Sequence, residues 1–540
     1  MPTCAEVTAQ TLSELGVKRM FGLPGGEILD LVEACRALGI EFVLTRDEGN
    51  AAFMADVTGQ IQRRPGVCVS TLGPGALNMA LGVANAYLDR SPVIAVSASI
   101  AESARPYATH QNLDLNDIYR PFTKLSVTLD GEDTAGEVRH AYDLAVQPRM
   151  GPVHIALPSD VGRSPDRPAE GGVGARTRAQ PSAPPSDEDL QRIAAVIREA
   201  RRPVVILGLD LDPYEDCGSV KRFVEELGAP VFVTPKAKGI LPEDHRLFAG
   251  VCAGVAADKV IVELFGRADL LIGVGFDPVE SDKIWHQTMK LISIGPVSIA
   301  AGAYSPADEA VGDLDEIIRA LGEMGLGSCE WSEEELREYR EALGQALRPA
   351  HGLRSGLSPY EVTQRLRELV PRDTIHVTDV GSVKFVTSQV WRTYEPLTFF
   401  TSNGLSSMSY GLPGAMAAKL LFPDRTVLCT TGDGGFGMTL SELETCARHG
   451  IHVITVVYND SGLSLIRAVQ EYKGHPKYGV DFGAVDFAAV TEAFGAWSAR
   501  VESMADLDGA VEEGLRIGRP VVLDVVIDPT EYVGHAAPAS

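Results

Sequence analysis

Residues 427–438 are VLCTTGDGGFGM, an apolar run that leads into four glycines within six residues. Such a run ahead of a glycine-rich turn predicts a buried β-strand that opens directly into a helix. At that junction backbone N–H groups can approach a phosphate closely, and Asp433 at the strand end can bind a hard cation. Because Gly-Asp-Gly also occurs in ordinary turns, its interpretation depends on the residues after it.

The next segment supplies a second carboxylate. A helical stretch, 439–448, leads to the apolar run VITVVY, 453–458, and then to NDSG, 459–462. A βαβ passage of this kind returns the chain to the same edge of a parallel sheet, so Asp433 and Asp460 are expected to converge. Two carboxylates beside a phosphate cradle suit magnesium–diphosphate chemistry.

Short apolar runs alternate with amphipathic helical stretches along the whole chain. Fully apolar runs are typical of strands in parallel sheets that helices cover on both faces. The sequence therefore predicts an α/β protein built from doubly wound parallel sheets. Examples of such runs are residues 67–70, 93–96, 204–207 and 270–274.

Two breaks in composition divide the chain. Residues 163–186 are rich in Pro, Gly, Ala and Arg without hydrophobic periodicity, which predicts a surface linker. Residues 328–356 are highly charged, and their SEEE segment predicts the start of a solvated connecting helix. We therefore expect three α/β domains, over residues 1–165, 187–325 and 357–530.

Composition narrows the possible partners. Asp and Glu number 73 against 48 Lys and Arg, and the net charge of -25 disfavours nucleic acid and anionic membranes. The eight cysteines are scattered, so we expect reduced thiols rather than a disulfide framework. Neither a signal-peptide pattern nor an apolar run of about 18 residues is present, and a cytoplasmic protein is expected.

With the GDG triplet at 432–434 and the Asn-Asp pair at 459–460, the chain resembles the thiamin-diphosphate enzymes of the acetolactate synthase and pyruvate decarboxylase superfamily. Its pattern resembles that of acetolactate synthase large subunits. The resemblance implies thiamin diphosphate and Mg²⁺ as cofactors. It implies metal ligation by Asp433, Asp460 and the backbone carbonyl of Gly462, and cofactor binding by Gly432, Gly434, Gly435 and Asn459.

One departure from the family pattern affects the metal site. The family motif ends in Asn-Asn, whereas this chain has Asp460 at the second position. The extra carboxylate adds negative charge beside a diphosphate, so metal affinity is the property that this departure is expected to change.

The first domain carries a second part of the family pattern. FGLPGG, 21–26, resembles the opening turn and implies a cofactor contact at Gly25, while TRDEGNAAFMA, 45–55, resembles the segment that bears the catalytic glutamate. A glutamate before a helix is often only a solvated first-turn charge. The matched motif instead implies that Glu48 hydrogen-bonds the cofactor's aminopyrimidine and favours the tautomer that activates the thiazolium.

Two more segments of the first domain resemble the family. GPGALN, 73–78, implies a contact of Asn78 near the pyrimidine, although the same residues suit a plain strand-to-helix turn. GPVHIALP, 151–158, closes the domain as in the family, with His154 in a structural role.

In the third domain, SNGLSSMSYG, 402–411, resembles the segment that contacts the aminopyrimidine. It implies that Asn403 and Gly404 bind the cofactor. It also implies that Met408 props the pyrimidine against the thiazolium, where a methionine is otherwise usually core filler.

The resemblance gives each expected domain a role. Residues 1–165 would bind the pyrimidine, 187–325 would form a central Rossmann-like domain, and 357–530 would bind diphosphate and magnesium. Because Glu48 and the diphosphate cradle lie on different domains, the resemblance implies active sites between two chains. A homodimer is then the smallest active unit, and a homotetramer is common in such enzymes.

The central domain is expected to lack FAD. Its glycine turns, such as IGVGFD at 272–277, are typical of nucleotide-binding sheets but also serve close helix packing. Acetolactate synthases bind FAD with a Gly-Met-His-Gly segment after Leu-Pro-x-x-His. Here LPEDH, 241–245, is followed by LFAGVCAG, 247–254, without that segment.

The substrate end resembles carboligases. YATHQNLD, 107–114, is similar to a loop of acetolactate synthases in which Gln111 approaches the reacting carbon. His110 departs from the usual Phe and resembles carboxyethylarginine synthase; it could act as an acid or base, or be a packed, hydrogen-bonded loop residue. The paired histidines typical of pyruvate decarboxylase are missing from this loop.

These features predict a thiamin-diphosphate-dependent lyase or transferase with small-molecule 2-oxo acid or aldehyde substrates. We expect a carboligase that decarboxylates a pyruvate-like donor and transfers the acyl carbanion to a carbonyl acceptor. A nonoxidative 2-oxo acid decarboxylase or an acyloin lyase is an alternative. A non-catalytic, cofactor-binding regulatory relative is another, which the presence of Glu48, Asp433 and Asp460 disfavours.

Overall fold

The computed structural model describes residues 1–168, 184–253, 258–280, 289–300, 304–348, 352–353 and 355–532. Within these ranges the chain forms three six-stranded sheets, and the neighbouring strands pair in parallel throughout. Helices alternate with the strands in each of them. The predicted α/β class with three parallel sheets is confirmed.

The strands of the first sheet occur in the order β2-β1-β3-β4-β6-β5. They are β1 (Arg19–Leu23), β2 (Glu41–Leu44), β3 (Gly66–Ser70), β4 (Val93–Ser99), β5 (Ser126–Thr128) and β6 (Val153–Pro158). Its helices are α1 (Cys4–Glu14), α2 (Leu29–Ala37), α3 (Glu48–Gln62), α4 (Pro74–Leu88), α5 (Leu115–Tyr119), α6 (Thr134–Val146) and α7 (Ser159–Arg163). Every residue of β3, β4 and β6 is buried, as expected for parallel strands covered on both faces.

The second sheet has the order β12-β11-β10-β7-β8-β9. Its strands are β7 (Pro203–Leu207), β8 (Val231–Val233), β9 (Phe248–Val251), β10 (Leu270–Val274), β11 (Leu291–Gly295) and β12 (Asp308–Val311). The helices that accompany it are α8 (Asp187–Glu199), α9 (Cys217–Leu227), α10 (Asp258–Phe265), α11 (Leu314–Glu323) and α12 (Glu333–Leu347). Ser332 caps α12, whose buried face carries Leu336, Tyr339 and Leu343, so the predicted connecting helix is also packed.

The third sheet has the order β14-β13-β15-β16-β18-β17. Its strands are β13 (Ile375–Thr378), β14 (Phe399–Thr401), β15 (Val427–Gly432), β16 (Ile454–Asn459), β17 (Trp497–Val501) and β18 (Val521–Val526). The helices around it are α13 (Pro359–Leu369), α14 (Ser382–Val390), α15 (Gly411–Leu421), α16 (Asp433–Thr439), α17 (Glu442–His449), α18 (Ser464–Tyr472), α19 (Phe487–Glu492) and α20 (Met504–Arg516). In each of the three sheets the first strand has neighbours on both sides, which is the doubly wound pattern.

The chain divides into two compact units. The first unit contains the first sheet together with Gly404–Pro423 and Thr439–Ile451, and the second unit contains the other two sheets without those segments. The predicted domain limits therefore stay a prediction. The central part of the predicted linker, 169–183, lies outside the described residues, as do 349–351 and 354 of the charged connection.

Two helices made largely of small residues lie at the centre of the first unit. A Cβ on Gly82 of α4 would lie 2.5 Å from Cβ of Ala52 on α3, so a glycine is needed for this close approach. Further along both helices, Asn85 Nδ2 donates to buried Asp56 Oδ2 at 2.6 Å. These two contacts show that α3 and α4 run side by side in the same direction.

His154 lies fully buried in β6. One ring nitrogen hydrogen-bonds Ser97 Oγ at 2.8 Å and the other hydrogen-bonds Ser126 Oγ at 2.9 Å. The ring stacks on Tyr119 with centroids 3.9 Å apart, and the Tyr119 hydroxyl donates to the Ala76 carbonyl in α4 at 2.5 Å. Burial lowers the pKa of His154 to about 3, so the ring is neutral and structural at neutral pH.

Among the described residues, no helix is both long enough and apolar enough to cross a membrane. All eight cysteines are free thiols.

We expect His154 to make the first unit sensitive to acid. Its folded-state pKa lies below the ordinary 6.5, so its contribution to stability is present above pH 6.5 and is lost as the pH falls towards 3. Between pH 6.5 and 4.5 the free energy of unfolding should fall by about 2 kcal/mol through this group. Urea unfolding followed by circular dichroism should show His154→Asn less stable than wild type at pH 7, with the difference shrinking at lower pH.

The matched control is His475→Asn, because His475 is exposed. Its unfolding curve should follow the wild type at every pH. Parallel pH profiles for wild type and His154→Asn would contradict the prediction.

Candidate active site

The carboxyl ends of β15 and β16 bring the two predicted carboxylates together. The strands are paired neighbours, with Gly432 opposite Tyr458, so they end at the same edge of the sheet. Asp433 Oδ1 accepts the Gly434 N–H at 2.7 Å, and Oδ2 accepts the Gly462 N–H at 3.1 Å. Asp433 therefore holds the turn after β16 directly. Burial raises the pKa of the Asp433 carboxyl.

Asp460 has one carboxylate oxygen without a hydrogen bond. Its Oδ2 accepts the Ser464 hydroxyl at 2.5 Å, whereas its Oδ1 is buried and has no hydrogen-bond partner. Burial raises the pKa of Asp460 to about 7, and the nearby charge of Asp433 adds to the shift. A buried carboxylate oxygen without a hydrogen bond is costly, and a hard cation would satisfy it.

The described part of the chain contains no group of three or more His, Cys, Asp or Glu side chains placed to hold a metal. The site at the ends of β15 and β16 has only two such side chains, Asp433 and Asp460, together with the backbone of Gly462. Mg²⁺ commonly uses one or two carboxylates and completes its shell with substrate phosphates and water. The residues therefore fit Mg²⁺ bound together with a diphosphate.

The glycines of the turn differ in their surroundings. A Cβ on Gly435 would overlap Asp379 Oδ2, which also accepts the Thr431 hydroxyl at 2.9 Å. Gly435 is therefore required for packing against Asp379, at the end of β13. A Cβ on Gly432 would meet no atom within 4 Å, so that position is open to a ligand.

Asn459 faces its own sheet. Its Nδ2 donates to the buried Asp524 Oδ1 at 2.8 Å and to the Val485 carbonyl at 3.2 Å. The side-chain amide thus fixes the end of β16 before Asp460, and its predicted contact with a cofactor stays a prediction.

Glu48 is the first residue of α3, and the helix is capped by Asp47, which accepts the Asn50 N–H. Only 8% of Glu48 is exposed. Asn78 Nδ2 donates to Glu48 Oε2 at 2.8 Å and to Asp47 Oδ2 at 2.7 Å, so one amide holds both carboxylates. A Cβ on Gly75 would lie 3.0 Å from Glu48 Oε1, which explains a glycine at that point of the GPGALN turn.

The same turn lies beside Gln111 of the loop at 107–114. A Cβ on Gly73, whose φ is +60°, would lie 3.1 Å from Cγ of Gln111. Gln111 has a left-handed backbone, with φ of 55°, and an exposed side chain. His110 is also exposed in the single chain, and both predictions of its role stay open.

Gly25 lies close to the neighbouring loop of the first sheet. A Cβ there would overlap Thr71 Oγ1, which donates to Glu27 Oε2 at 2.9 Å. The glycine of the opening turn therefore has a packing reason, and its predicted cofactor contact stays a prediction.

The segment with the predicted pyrimidine contacts is fixed at the far end of α3 and α4. Gly404 N–H donates to Asp89 Oδ1 at 2.8 Å, and a Cβ on Gly404 would lie 2.6 Å from Cβ of Leu88. Tyr410 OH accepts from Gln60 Nε2 at 3.3 Å. Asn403 and Met408 are partly exposed.

Within one chain, Gly404 and Glu48 therefore lie at opposite ends of α4. The helix has 15 residues, and at 1.5 Å rise per residue its ends are roughly 20 Å apart. Glu48 contacts the Gly75 and Asn78 end, while Gly404 contacts Leu88 and Asp89 at the other. The structure does not bring these two predicted site residues together in a single first unit.

Sequence reasoning missed several residues around the site. Arg467 contacts the turn at 460–462, Asp379 packs on Gly435, and Asp47 shares Asn78 with Glu48. Asp379 could have been found as an acidic residue directly after a buried strand. The role of Arg467 had no signal in the sequence, because it lies one helical turn beyond the motif.

Three parallel sheets, a glycine-rich strand-to-helix turn and a convergent pair of carboxylates define an enzyme that binds a phosphate-bearing cofactor. Three family profiles match the chain: the N-terminal TPP binding domain of thiamine pyrophosphate enzymes over 2–118, their central domain over 190–321, and their C-terminal TPP binding domain over 379–525.

Similar proteins cover nearly the whole chain. Acetolactate synthase of Bacillus subtilis (strain 168) is 31% identical over 99% of this chain and 94% of its own length. The catabolic acetolactate synthase of Raoultella terrigena is 29% identical, over 97% and 95%. A probable acetolactate synthase large subunit of Methanocaldococcus jannaschii is 30% identical, over 99% and 93%. The chain belongs to the thiamine pyrophosphate enzyme family and is an acetolactate-synthase-like member of it.

We expect Asn78→Asp to place a third carboxylate against Asp47 and Glu48. Mutual repulsion between the three carboxylates would destabilise the folded state. The melting temperature of Asn78→Asp should therefore fall below that of Asn78→Ala at pH 7, by the equivalent of about 1 kcal/mol. Equal melting temperatures would show that Asn78 does not hold the two carboxylates together.

Proposed function

We propose that this protein is a thiamin-diphosphate- and Mg²⁺-dependent carboligase that acts on a 2-oxo acid. It decarboxylates a pyruvate-like donor and joins the remaining acyl unit to a carbonyl acceptor, which places it among lyases and transferases. The observation that carries the proposal is the buried Asp460 Oδ1, which has no hydrogen bond, beside Asp433 at the GDG turn, in a member of this family.

Mg²⁺ would be held by the carboxylates of Asp433 and Asp460 and by the carbonyl of Gly462. The convergence of the first two at adjacent strand ends supports this assignment. The diphosphate would lie against the glycines at the junction of β15 and α16, Gly432, Gly434 and Gly435, because residues without side chains let a phosphate approach the backbone closely.

When bound, thiamin diphosphate supplies a nucleophilic carbon that adds to the carbonyl of the substrate. Glu48 would hold a proton at the aminopyrimidine of that cofactor. The hydrogen bond from Asn78 fixes the direction of its carboxylate, and burial excludes water from it. Gln111, whose side chain approaches Gly73 of the turn that leads to Asn78, would contact the substrate.

The relatives are named as synthases of acetolactate, so we place carboligation before the alternatives of nonoxidative decarboxylation and acyloin cleavage. A non-catalytic regulatory role fits less well, since a buried glutamate oriented by an amide is a feature that a purely binding protein does not need.

We propose that the central domain binds no FAD. Nucleotides bind sheets of this type where the strand order reverses, here between β7 and β10. A Cβ on Gly208 would lie 2.5 Å from the Gly275 carbonyl, so the loops after these two strands are in contact. The Leu209 N–H, which could serve a phosphate, already donates to Glu280 Oε2 at 2.9 Å.

With thiamin diphosphate, Mg²⁺ and pyruvate, the purified protein should release carbon dioxide and form a coupled ketone with an added carbonyl acceptor. Glu48→Gln should lower turnover by about 100-fold or more, because the proton-holding acid is lost. Calorimetry should find its affinity for thiamin diphosphate nearly unchanged, since the amide can still receive the Asn78 hydrogen bond. Glu33→Gln, at an exposed helix position, is the matched control and should retain full turnover.

Two results would contradict this assignment. The absence of carbon dioxide release across a panel of 2-oxo acids would overturn the decarboxylating reaction. Free aldehyde without a coupled ketone would identify the decarboxylase or lyase alternative instead.

We propose that the active enzyme is a homodimer or homotetramer with sites between chains. The separation of roughly 20 Å between Glu48 and Gly404 along α4 of one chain supports this arrangement. If Gly404 and Glu48 both contact one aminopyrimidine, the second residue has to come from another copy.

Mixing two inactive variants tests the shared site. Glu48→Gln lacks the glutamate and Asp433→Asn lacks a metal ligand, so a mixed dimer contains one site with both defects and one intact site. Unfolding and refolding an equimolar mixture should restore about a quarter of the wild-type turnover, because half of the dimers are mixed and each has one working site. A mixture as inactive as its components would place each site within one chain.

A further inference from the structure

Arg467 lies one helical turn into α18 and points its guanidinium at the turn after β16. Its Nη1 is 3.8 Å from Asp460 Oδ1, the carboxylate oxygen that has no hydrogen bond. Its Nη2 donates to the Ser461 carbonyl at 2.9 Å, and its Nη1 donates to Ser464 Oγ at 3.2 Å. Only 18% of the Arg467 side chain and 5% of the Asp460 side chain are exposed.

Gly462 allows this position of the guanidinium. A Cβ on Gly462 would overlap Arg467 Nη2 and would lie 2.6 Å from the Val480 carbonyl. Gly462, whose carbonyl is proposed as a metal ligand, therefore also provides the surface on which Arg467 packs. Any larger residue would displace the guanidinium from Asp460.

Arg467 contacts a second carboxylate, that of Asp481, with which its Nη2 makes an ion pair at 2.7 Å. Asp481 is 54% exposed and also pairs with Lys477 at 2.7 Å, so water and Lys477 screen this second pair more than burial allows at Asp460. Asp433 and Asp460 together bring two negative charges to a place that would also receive a diphosphate, and burial reduces the screening by water. The guanidinium of Arg467, whose side chain is 18% exposed, lies beside Asp460 and offsets its negative charge. An asparagine at position 460 would bring no such charge.

We propose that Arg467 is a positioning residue that balances the charge of Asp460 and holds the turn at 460–462, so that a site with two aspartates binds diphosphate-linked Mg²⁺. This inference rests on the proposed function of the same site. Arg467 would then affect diphosphate binding through its charge and would not itself coordinate the metal. Asp460 and Arg467 then form one functional pair, in which each compensates for the other.

A double-mutant cycle tests the pair. The dissociation constant of thiamin diphosphate is measured by calorimetry at saturating Mg²⁺ for wild type, Arg467→Gln, Asp460→Asn and the double variant. Arg467→Gln should weaken binding about tenfold, because the uncompensated Asp460 repels the diphosphate. In the Asp460→Asn background the same substitution should change binding less than about threefold, since no extra charge remains to be balanced.

Two further variants separate charge from structure. Arg467→Lys keeps the positive charge and should stay within about threefold of wild type. Arg365→Gln is the matched control, since Arg365 makes a two-pronged ion pair with Asp508 between α13 and α20, and its loss should leave binding unchanged. Circular dichroism of each variant checks that α18 and the rest of the fold are retained.

The outcomes are distinct. An equal loss of affinity from Arg467→Gln in both backgrounds would make Arg467 a structural clamp and overturn the charge balance. A tenfold loss in Arg467→Lys would overturn it as well. If wild type itself binds no thiamin diphosphate with Mg²⁺, the proposed cofactor site fails, and the inference fails with it.

Discussion

The parallel pairing of β15 with β16 is the constraint on which the candidate site depends. Because Gly432 is in register with Tyr458, Asp433 reaches the Gly462 N–H, and Asp460 is carried into a buried position. Burying two carboxylates costs free energy that backbone N–H groups, Ser464 and Arg467 offset only in part. A cation bound there would remove the remaining cost, so metal binding and the stability of the second unit are linked.

In the first unit the buried acid is Glu48, and an amide holds it by hydrogen bonding. Its small-residue helices α3 and α4 approach closely, and Asn78 hydrogen-bonds two adjacent carboxylates at their shared end. At the opposite end Asp89 fixes Gly404. The rigidity that orients Glu48 therefore also keeps it apart from Gly404 of the same chain, and this separation favours a shared site more strongly than domain order alone does.

Much of this architecture can be predicted from local sequence. The apolar runs and the glycine turn predicted the parallel sheets, and βαβ geometry predicted that Asp433 and Asp460 would meet, because both depend on short-range pattern and chain handedness. Contacts that depend on the tertiary fold could not be predicted in this way. Asn459 turns to Asp524 within the sheet, Gly435 packs on Asp379, and Arg467 crosses back to Asp460, since each depends on which side chains the tertiary fold places nearby.

The residues proposed to bind the cofactor and those proposed to contact the substrate differ in burial and in hydrogen bonding. Glu48, Asp433 and Asp460 are buried and held by hydrogen bonds from rigid elements, whereas Gln111 and His110 lie exposed on the loop between β4 and α5. Loops tolerate change that strand ends and helix starts do not. Under the proposed function, the cofactor chemistry would stay constant while this loop determined the substrate, and a difference in acceptor from the related synthases would be expected at His110, which is exposed beside Gln111.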